Sequence, residues 1–145
     1  MITSLVWQPY QGSAPFSDDA ERLLASAGDD YAISIWNARS PAKSKSSMTM
    51  GSAVVALAFT PDGAFIAGAT VEKIWIWKVD DVHIPRATWV RGSEVGWQTP
   101  RSHDSTADED QHCLCWDADG QKLAYGVNSQ VCIRTCALCS ETDCA

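Results

Sequence analysis

The sequence repeats itself, and that limits the architectures open to it. Sliding the 145-residue sequence by 57 positions aligns residues 54–77 with residues 111–134 without a gap. Leu57 then meets Leu114, Phe59 meets Trp116, Asp62 and Gly63 meet Asp119 and Gly120, Ala67 meets Ala124, and Ile76 meets Ile133. A third copy opens the chain. Ile2, Leu5 and Trp7 match Val54, Leu57 and Phe59, and Pro9 matches Pro61; this copy closes at Trp36, which matches Trp77, after an insertion of small and polar residues at 11–19. A unit that recurs in this way is one supersecondary motif stacked on copies of itself, because a single copy cannot bury its own apolar face.

Inside each copy the pattern predicts short strands. The first, residues 2–7 or 54–59, carries apolar residues in alternation and ends in a Pro-Asp-Gly type of turn, clearest as Thr60, Pro61, Asp62 and Gly63. A second strand follows at 23–27, 65–69 or 122–127. A tight polar turn, Asp29 to Tyr31, Val71 to Lys73 or Asn128 to Gln130, then leads into a third strand rich in β-branched and aromatic residues at 32–36, 74–77 or 131–134. Weak fourth strands are expected near 47–50 and 87–90. No stretch of useful length has helical periodicity.

Composition removes several function classes. The net charge of −7 argues against a nucleic-acid surface, whose affinity rests on neutralising phosphates with Lys and Arg. No run of apolar residues is long enough to span a bilayer, and residues 1–9 lack the basic flank and small-residue cleavage site of a signal peptide, so the chain reads as intracellular. All six cysteines fall between Cys113 and Cys144, which is not the even stapling of a secreted disulfide scaffold. Cys132, Cys136, Cys139 and Cys144 invite a zinc reading but lack paired two-residue knuckles, and Cys113 and Cys115 read more simply as buried strand thiols. A small zinc or redox protein using this end is therefore the alternative from a different class.

Catalytic chemistry is thinly supplied, and the chain is read as a non-enzyme without cofactor or metal. His83, His103 and His112 all fall in the long connection between the second and third copies. His112 and Cys113 are sequence neighbours on a strand and point to opposite faces. Asp29 and Asp30 read as a turn, and the glycines occur singly, not as a phosphate-binding loop. Trp7, Trp36, Trp77 and Trp116 are core by period. Trp89 and Trp97 lie outside the repeated core and are candidate exposed anchors, since interfaces are enriched in Trp. Residues 102–110 form an acidic, polar stretch able to meet a basic partner, such as a histone tail.

Residues 24–37, LASAGDDYAISIWN, resemble the second half of a WD repeat, with Trp36 and Asn37 where the family carries Trp-Asp; residues 54–77, through VVALAFTPDG and IWIW, are similar, with Lys78 in place of the Asp. Arg134 and Thr135 occupy that place in the third copy, so its signature is degenerate. The resemblance implies an all-β, incomplete β-propeller of about three blades, two four-stranded and the last three-stranded. Blade 1 would span about 1–50, blade 2 about 53–91 and blade 3 about 112–134, with an acidic loop at 92–111 and a Cys-rich tail at 135–145. Ser26, Asp30 and Trp36 would supply three members of the family's structural hydrogen-bond set, whose His is missing here. Phe59, Asp62, Gly63, Trp77, Trp116, Asp119 and Gly120 would be structural repeat positions. The turns between second and third strands would line the partner-binding mouth, which makes Asp29, Tyr31, Glu72 and Gln130 a binding set.

The implied function is a protein-interaction scaffold, a piece of a longer propeller that presents loops to other proteins or peptides. Wording such as ITSLVWQP, LLASAGDD and AVVALAFTPDG is nearest to the C-terminal blades of transducin-β-like proteins, WD-repeat subunits of histone-deacetylase co-repressor complexes. That narrower resemblance implies a nuclear scaffold beside chromatin-associated subunits. Ubiquitin-ligase substrate recognition and G-protein-β-like signalling, the latter compatible with the cytoplasm, are the alternatives within the class. Three blades leave an inter-blade face and sheet edges uncovered, so the isolated chain is expected to self-associate.

Overall fold

The computed structural model describes residues 1–9, 23–39, 44–91, 97–98, 113–127 and 130–136. Within them the chain is all-β and folds as three antiparallel sheets. Blade 1 is β1 (Ile2–Trp7), β2 (Leu23–Gly28), β3 (Ala32–Asn37) and β4 (Ser44–Thr49), paired in chain order. Blade 2 is β5 (Val54–Phe59), β6 (Phe65–Thr70), β7 (Lys73–Lys78) and β8 (Ala87–Val90), also in chain order. Blade 3 has three strands of its own, β10 (Leu114–Trp116), β11 (Lys122–Val127) and β12 (Gln130–Thr135). Two residues of the stretch read as an acidic loop, β9 (Trp97–Gln98), pair with the outer edge of β12. The sheets stack without closing, as in an incomplete propeller.

The repeat survives in details no composition argument could reach. β1 and β5 carry the same irregularity, a register shift between Ile2 and Ser4 and between Val54 and Ala56. The extra residue of each bulge brings Ile2 onto the face of Leu5 and Trp7, and Val54 onto the face of Leu57 and Phe59. The turn after the first strand closes alike in all three blades, with Gln8, Thr60 and Asp117 each donating a backbone N–H to the carbonyl of Leu23, Phe65 and Lys122 respectively. Side chains then hold the turn by different means. In blade 2 the Thr60 hydroxyl accepts from Phe65 N–H at 3.1 Å and donates to Asp62 Oδ1 at 2.6 Å. In blade 3 Asp117, at the position of Thr60, accepts from the backbone N–H of Gln121 and Lys122 at 2.9 and 3.0 Å.

Those donors, the Lys122 N–H first, hold the Asp117 carboxyl below the usual carboxylate range. A depressed folded value means that the contribution is complete above about pH 4 and is lost as pH falls through the folded pKa. The Asp117 carboxyl resonance should therefore titrate below those of unengaged carboxylates in a carbon-detected pH series. Asp117→Asn should remove this component of acid sensitivity.

Gly63 and Gly120, equivalent in the repeat, both adopt positive φ, 71° and 69°. An L side chain at such a φ costs about 1–2 kcal/mol. A Cβ at Gly63 would also lie 2.9 Å from Gln8 Cγ, whereas one at Gly120 would meet only ordinary contacts at 3.5 Å with Thr60 and Pro61. In urea melts Gly120→Ala should cost about 1–2 kcal/mol and Gly63→Ala more, because Gln8 must also give way. Equal losses would show that the blade 1 to blade 2 turn contact is absent in solution.

Two apolar layers hold the blades together. Between blades 1 and 2, Leu23, Ala25, Ile33, Ile35 and Met48 meet Leu57, Phe59, Ile66 and Trp77. Between blades 2 and 3, the equivalent residues Phe65, Ala67, Ile74, Ile76 and Trp89 meet Trp116, Leu123, Tyr125 and Cys132. Gly68 is required in the first layer, since a Cβ there would stand 2.7 Å from Ile33 Cδ1 and 3.1 Å from the Trp77 ring. Trp77 and Trp116 are buried, and Trp75 is half-buried with its ring stacked on Trp77 at 6.3 Å.

Two expectations about the core are corrected. Trp7 is exposed, because the face that Phe59 and Trp116 turn toward a preceding blade has no blade before it in this structure; Trp36, on the same face, is only half-buried. Cys113 and Cys115 are exposed, because they lie on the far face of blade 3 and not between blades.

Candidate protein-interaction surface

The hairpins joining second to third strands lie at one end of the stack, opposite the Gly63 and Gly120 turns. Cross-blade bonds bring them side by side. The Thr3 hydroxyl, 3.2 Å from Ala27 O and 2.6 Å from Val54 O, ties the start of the blade 1 hairpin to the strand that pairs with Thr70 at the start of the blade 2 hairpin. Arg91 ties blade 2 to blade 3. Its buried guanidinium donates to Thr70 O at 3.1 Å and to Gly126 O, beside the third hairpin.

Each of the first two hairpins is also held by the residue that follows the fourth strand. Met50 N–H donates to Tyr31 O at 2.6 Å, and Arg91 N–H donates to Glu72 O at 2.8 Å. The Thr70 hydroxyl accepts from the N–H groups of Glu72 and Lys73 at 3.3 and 3.1 Å, folding the second tip over a buried side chain. The tips are thus presented by fixed backbone.

Of the expected binding set, Asp29, Tyr31 and Glu72 are exposed here. Tyr31 combines an exposed ring with φ of 68°, a backbone conformation that a non-glycine residue holds only under constraint. Asp29 accepts from the N-terminal ammonium of Met1, and that hydrogen bond, the largest cause, holds its carboxyl below the usual range. Asp30 closes its own turn by accepting from Ala32 N–H at 3.3 Å. The exposed surface is therefore an aromatic ring with the carboxylates of Asp29, Asp30 and Glu72, the first paired with the Met1 ammonium, and with Lys73 exposed beside Glu72.

Gln130 and Trp89 do not belong to it. Gln130 is buried at the start of β12. Trp89, expected as an exposed anchor, is 8% exposed and lies between blades 2 and 3. Its indole N–H donates to the Tyr125 hydroxyl at 3.2 Å, and the Arg134 guanidinium sits 4.3 Å above its ring. It equals Met48 of blade 1 by register, which explains its place: the fourth strand alternates inward at that position. The Trp97 side chain, residues 99–112, the turn residues Asn128 and Ser129, the insertion at 11–19, Cys139, Cys144 and the rest of the tail lie outside the described residues.

Of Ser26, Asp30 and Trp36, grouped by the resemblance, the Trp36 indole N–H donates to Ser26 Oγ at 2.8 Å, while Asp30 accepts from Ala32 N–H in its own turn. Asp62 accepts from Ala64 N–H at 3.0 Å, whereas the carboxylate that holds the corresponding turn of blade 3 is Asp117 and not the exposed Asp119. Arg91, Thr3 and Thr70 were missed by sequence reasoning. Only the equivalence of Arg91 with Met50 marked its position, and nothing there announced a buried cation.

No group of three potential metal ligands comes together among the described residues. Burial pushes the Cys136 thiol up to about 11, so it stays protonated at neutral pH and is a poor nucleophile. Cys113 and Cys115 should react promptly with an aromatic disulfide reagent, and Cys132 and Cys136 only on unfolding, as peptide mapping of the labelled chain can show. A cleft of about 550 Å³ opens between β4 and the segment from Trp75 to Pro85, with Lys45, Asp80 and His83 on its rim. No family model matches the chain, and no curated protein is significantly similar to it in sequence.

Proposed function

We propose that this chain is a non-enzymatic scaffold of the WD-repeat type that binds basic peptide segments of other proteins at the end bearing Asp29, Tyr31 and Glu72. The observation that carries the reading is Tyr31, an exposed aromatic held at positive φ beside Asp29 and Asp30, its carbonyl fixed by the Met50 N–H of the same blade. Rigid aromatics give contact area at little entropic cost, and the surrounding carboxylates favour Lys- or Arg-rich ligands. The resemblance to co-repressor subunits makes lysine-rich histone tails, and hence a nuclear setting, the first case to try.

Fluorescence anisotropy with labelled basic and acidic peptides of equal length tests this. Basic peptides should bind and weaken with salt, and Glu72→Lys should reduce affinity by about tenfold. Tyr31→Asn should do the same while keeping or raising the melting temperature, since Asn tolerates this backbone region better than Tyr. Equal binding of acidic peptides, or folded variants that bind as well as the parent, would count against the proposal.

A further inference from the structure

The third strand of blade 2 breaks the repeat at one position. Trp75 stands where blades 1 and 3 carry Ser34 and Cys132, and its ring stacks on Trp77 at 6.3 Å while staying half-buried. On the facing blade the departure runs the other way, since Met48 takes the position at which the Trp89 ring lies between blades 2 and 3. The cleft of about 550 Å³ opens here, walled by β4 on one side and by Trp75, Val82 and Pro85 on the other. The second wall is fixed, with Asp81 N–H donating to Lys78 O at 3.0 Å and Arg86 N–H to Ile76 O at 2.7 Å. Every lining residue lies between 45 and 85, well inside the chain.

The wall formed by β4 is a backbone edge. Met50 N–H donates to Tyr31 O at 2.6 Å, and Met48 and Ser46 stand opposite Ile33 and Ile35, so all three point their backbone groups toward β3. In an antiparallel ladder alternate residues point the other way, which turns the N–H and C=O of Ser47 and Thr49 outward, and both residues line the cleft. β4 is the last strand of its sheet, and these backbone groups have no partner among the described residues. Blades stack by their faces, so an outer edge of this kind does not depend on how many blades surround it.

We propose that the cleft binds an extended peptide segment of a partner protein, which adds a strand to β4 and seats alternate apolar side chains against Trp75 and Val82. The open backbone specifies the extended form, because an added strand pairs with such a row of donors and acceptors residue by residue. The pleat specifies the alternation, since side chains on one face of that strand meet the indole and those on the other meet solvent. This site is separate from the hairpin end and takes a different ligand.

Fluorescence anisotropy with two labelled, uncharged octapeptides tests it, one alternating Thr with Val and Phe and the other of the same composition in blocked order. The alternating peptide should bind the 145-residue chain, and N-methylation of the two amides that face β4 should weaken it by about tenfold or more. Trp75→Ser, which gives blade 2 the side chain that blade 1 carries there, should cost about tenfold in affinity. Ser47→Pro removes an outward N–H that the sheet does not use, so the melting temperature should stay close to the parent's while affinity falls by about tenfold. Should that variant fail to fold, the N-methylated peptide makes the same test on the parent chain. Absence of binding by the alternating peptide, equal binding of the blocked or N-methylated peptide, or folded variants that bind as the parent does would overturn the proposal. Self-association that Ser47→Pro abolishes, with no peptide bound, would overturn it too, by assigning the edge to a second copy of this chain. Binding of lysine-rich peptides should be unchanged in Trp75→Ser, so the two readings can fail separately.

Discussion

Trp77→Ala is expected to cost about 3–5 kcal/mol, the range for emptying a fully buried aromatic site. The indole is 2% exposed and lies in the layer between blades 1 and 2, stacked on Trp75 and close to Gly68. Domains of this size are stable by only about 5–15 kcal/mol, so the loss is a large share of the whole. It should also be local. Blade 1 contacts blade 2 through this layer, whereas blade 3 is held by Trp89, Tyr125 and Trp116 on the other side. Hydrogen exchange of the variant should show faster exchange in β2 and β3 than in β11 and β12. Uniform acceleration would mean that the blades fold as one unit and not as a stack of nearest neighbours.

The second large effect is expected at Arg91. Its guanidinium is buried and donates to carbonyls in both blade 2 and blade 3, and a hydrogen bond from a charged donor is worth about 1.5–3 kcal/mol. Arg91→Leu removes both donors and leaves Thr70 O and Gly126 O without them, so a loss of about 3 kcal/mol or more is expected in urea melts. Arg91→Lys should recover only part of this, since one ammonium lacks the planar fork that reaches two carbonyls at once. Full recovery with Lys would show that charge alone matters at this position. Because Thr70 and Gly126 border the second and third hairpins, Arg91→Leu should also weaken peptide binding at temperatures where the chain remains folded.

The repeat made the strands and turns legible because each reports a local constraint. The Asp-Gly turns at Gly63 and Gly120 need positive φ, and the alternation in β5 needs one buried face. Burial was less legible wherever it depended on which neighbour a face meets. Trp7 carries the same pattern as Phe59, yet one is exposed and the other buried, because periodicity defines a face without supplying its cover. Trp89 failed in the opposite sense: its strand is short and its flanks polar, so only the register of β8 against β7 reveals that it points inward. The bulges at the starts of β1 and β5 were hidden as well, since a one-residue insertion looks like broken alternation. At the candidate surface, Asp29, Tyr31 and Glu72 were recognisable as turn residues. The clamps from Thr3 and Arg91 depend on cross-blade geometry that no local pattern encodes, whereas the Thr70 clamp is a local turn within its own hairpin.

If the hairpin end of the blade stack is the binding surface, amide shift mapping will place the peptide there. Titrating a lysine-rich peptide into the isotope-labelled chain should perturb residues 28–32 and 71–73 first, with the Asp62 and Asp119 turns at the opposite end unchanged. Perturbations centred on the cleft between β4 and Trp75, or none at saturating peptide, would contradict it.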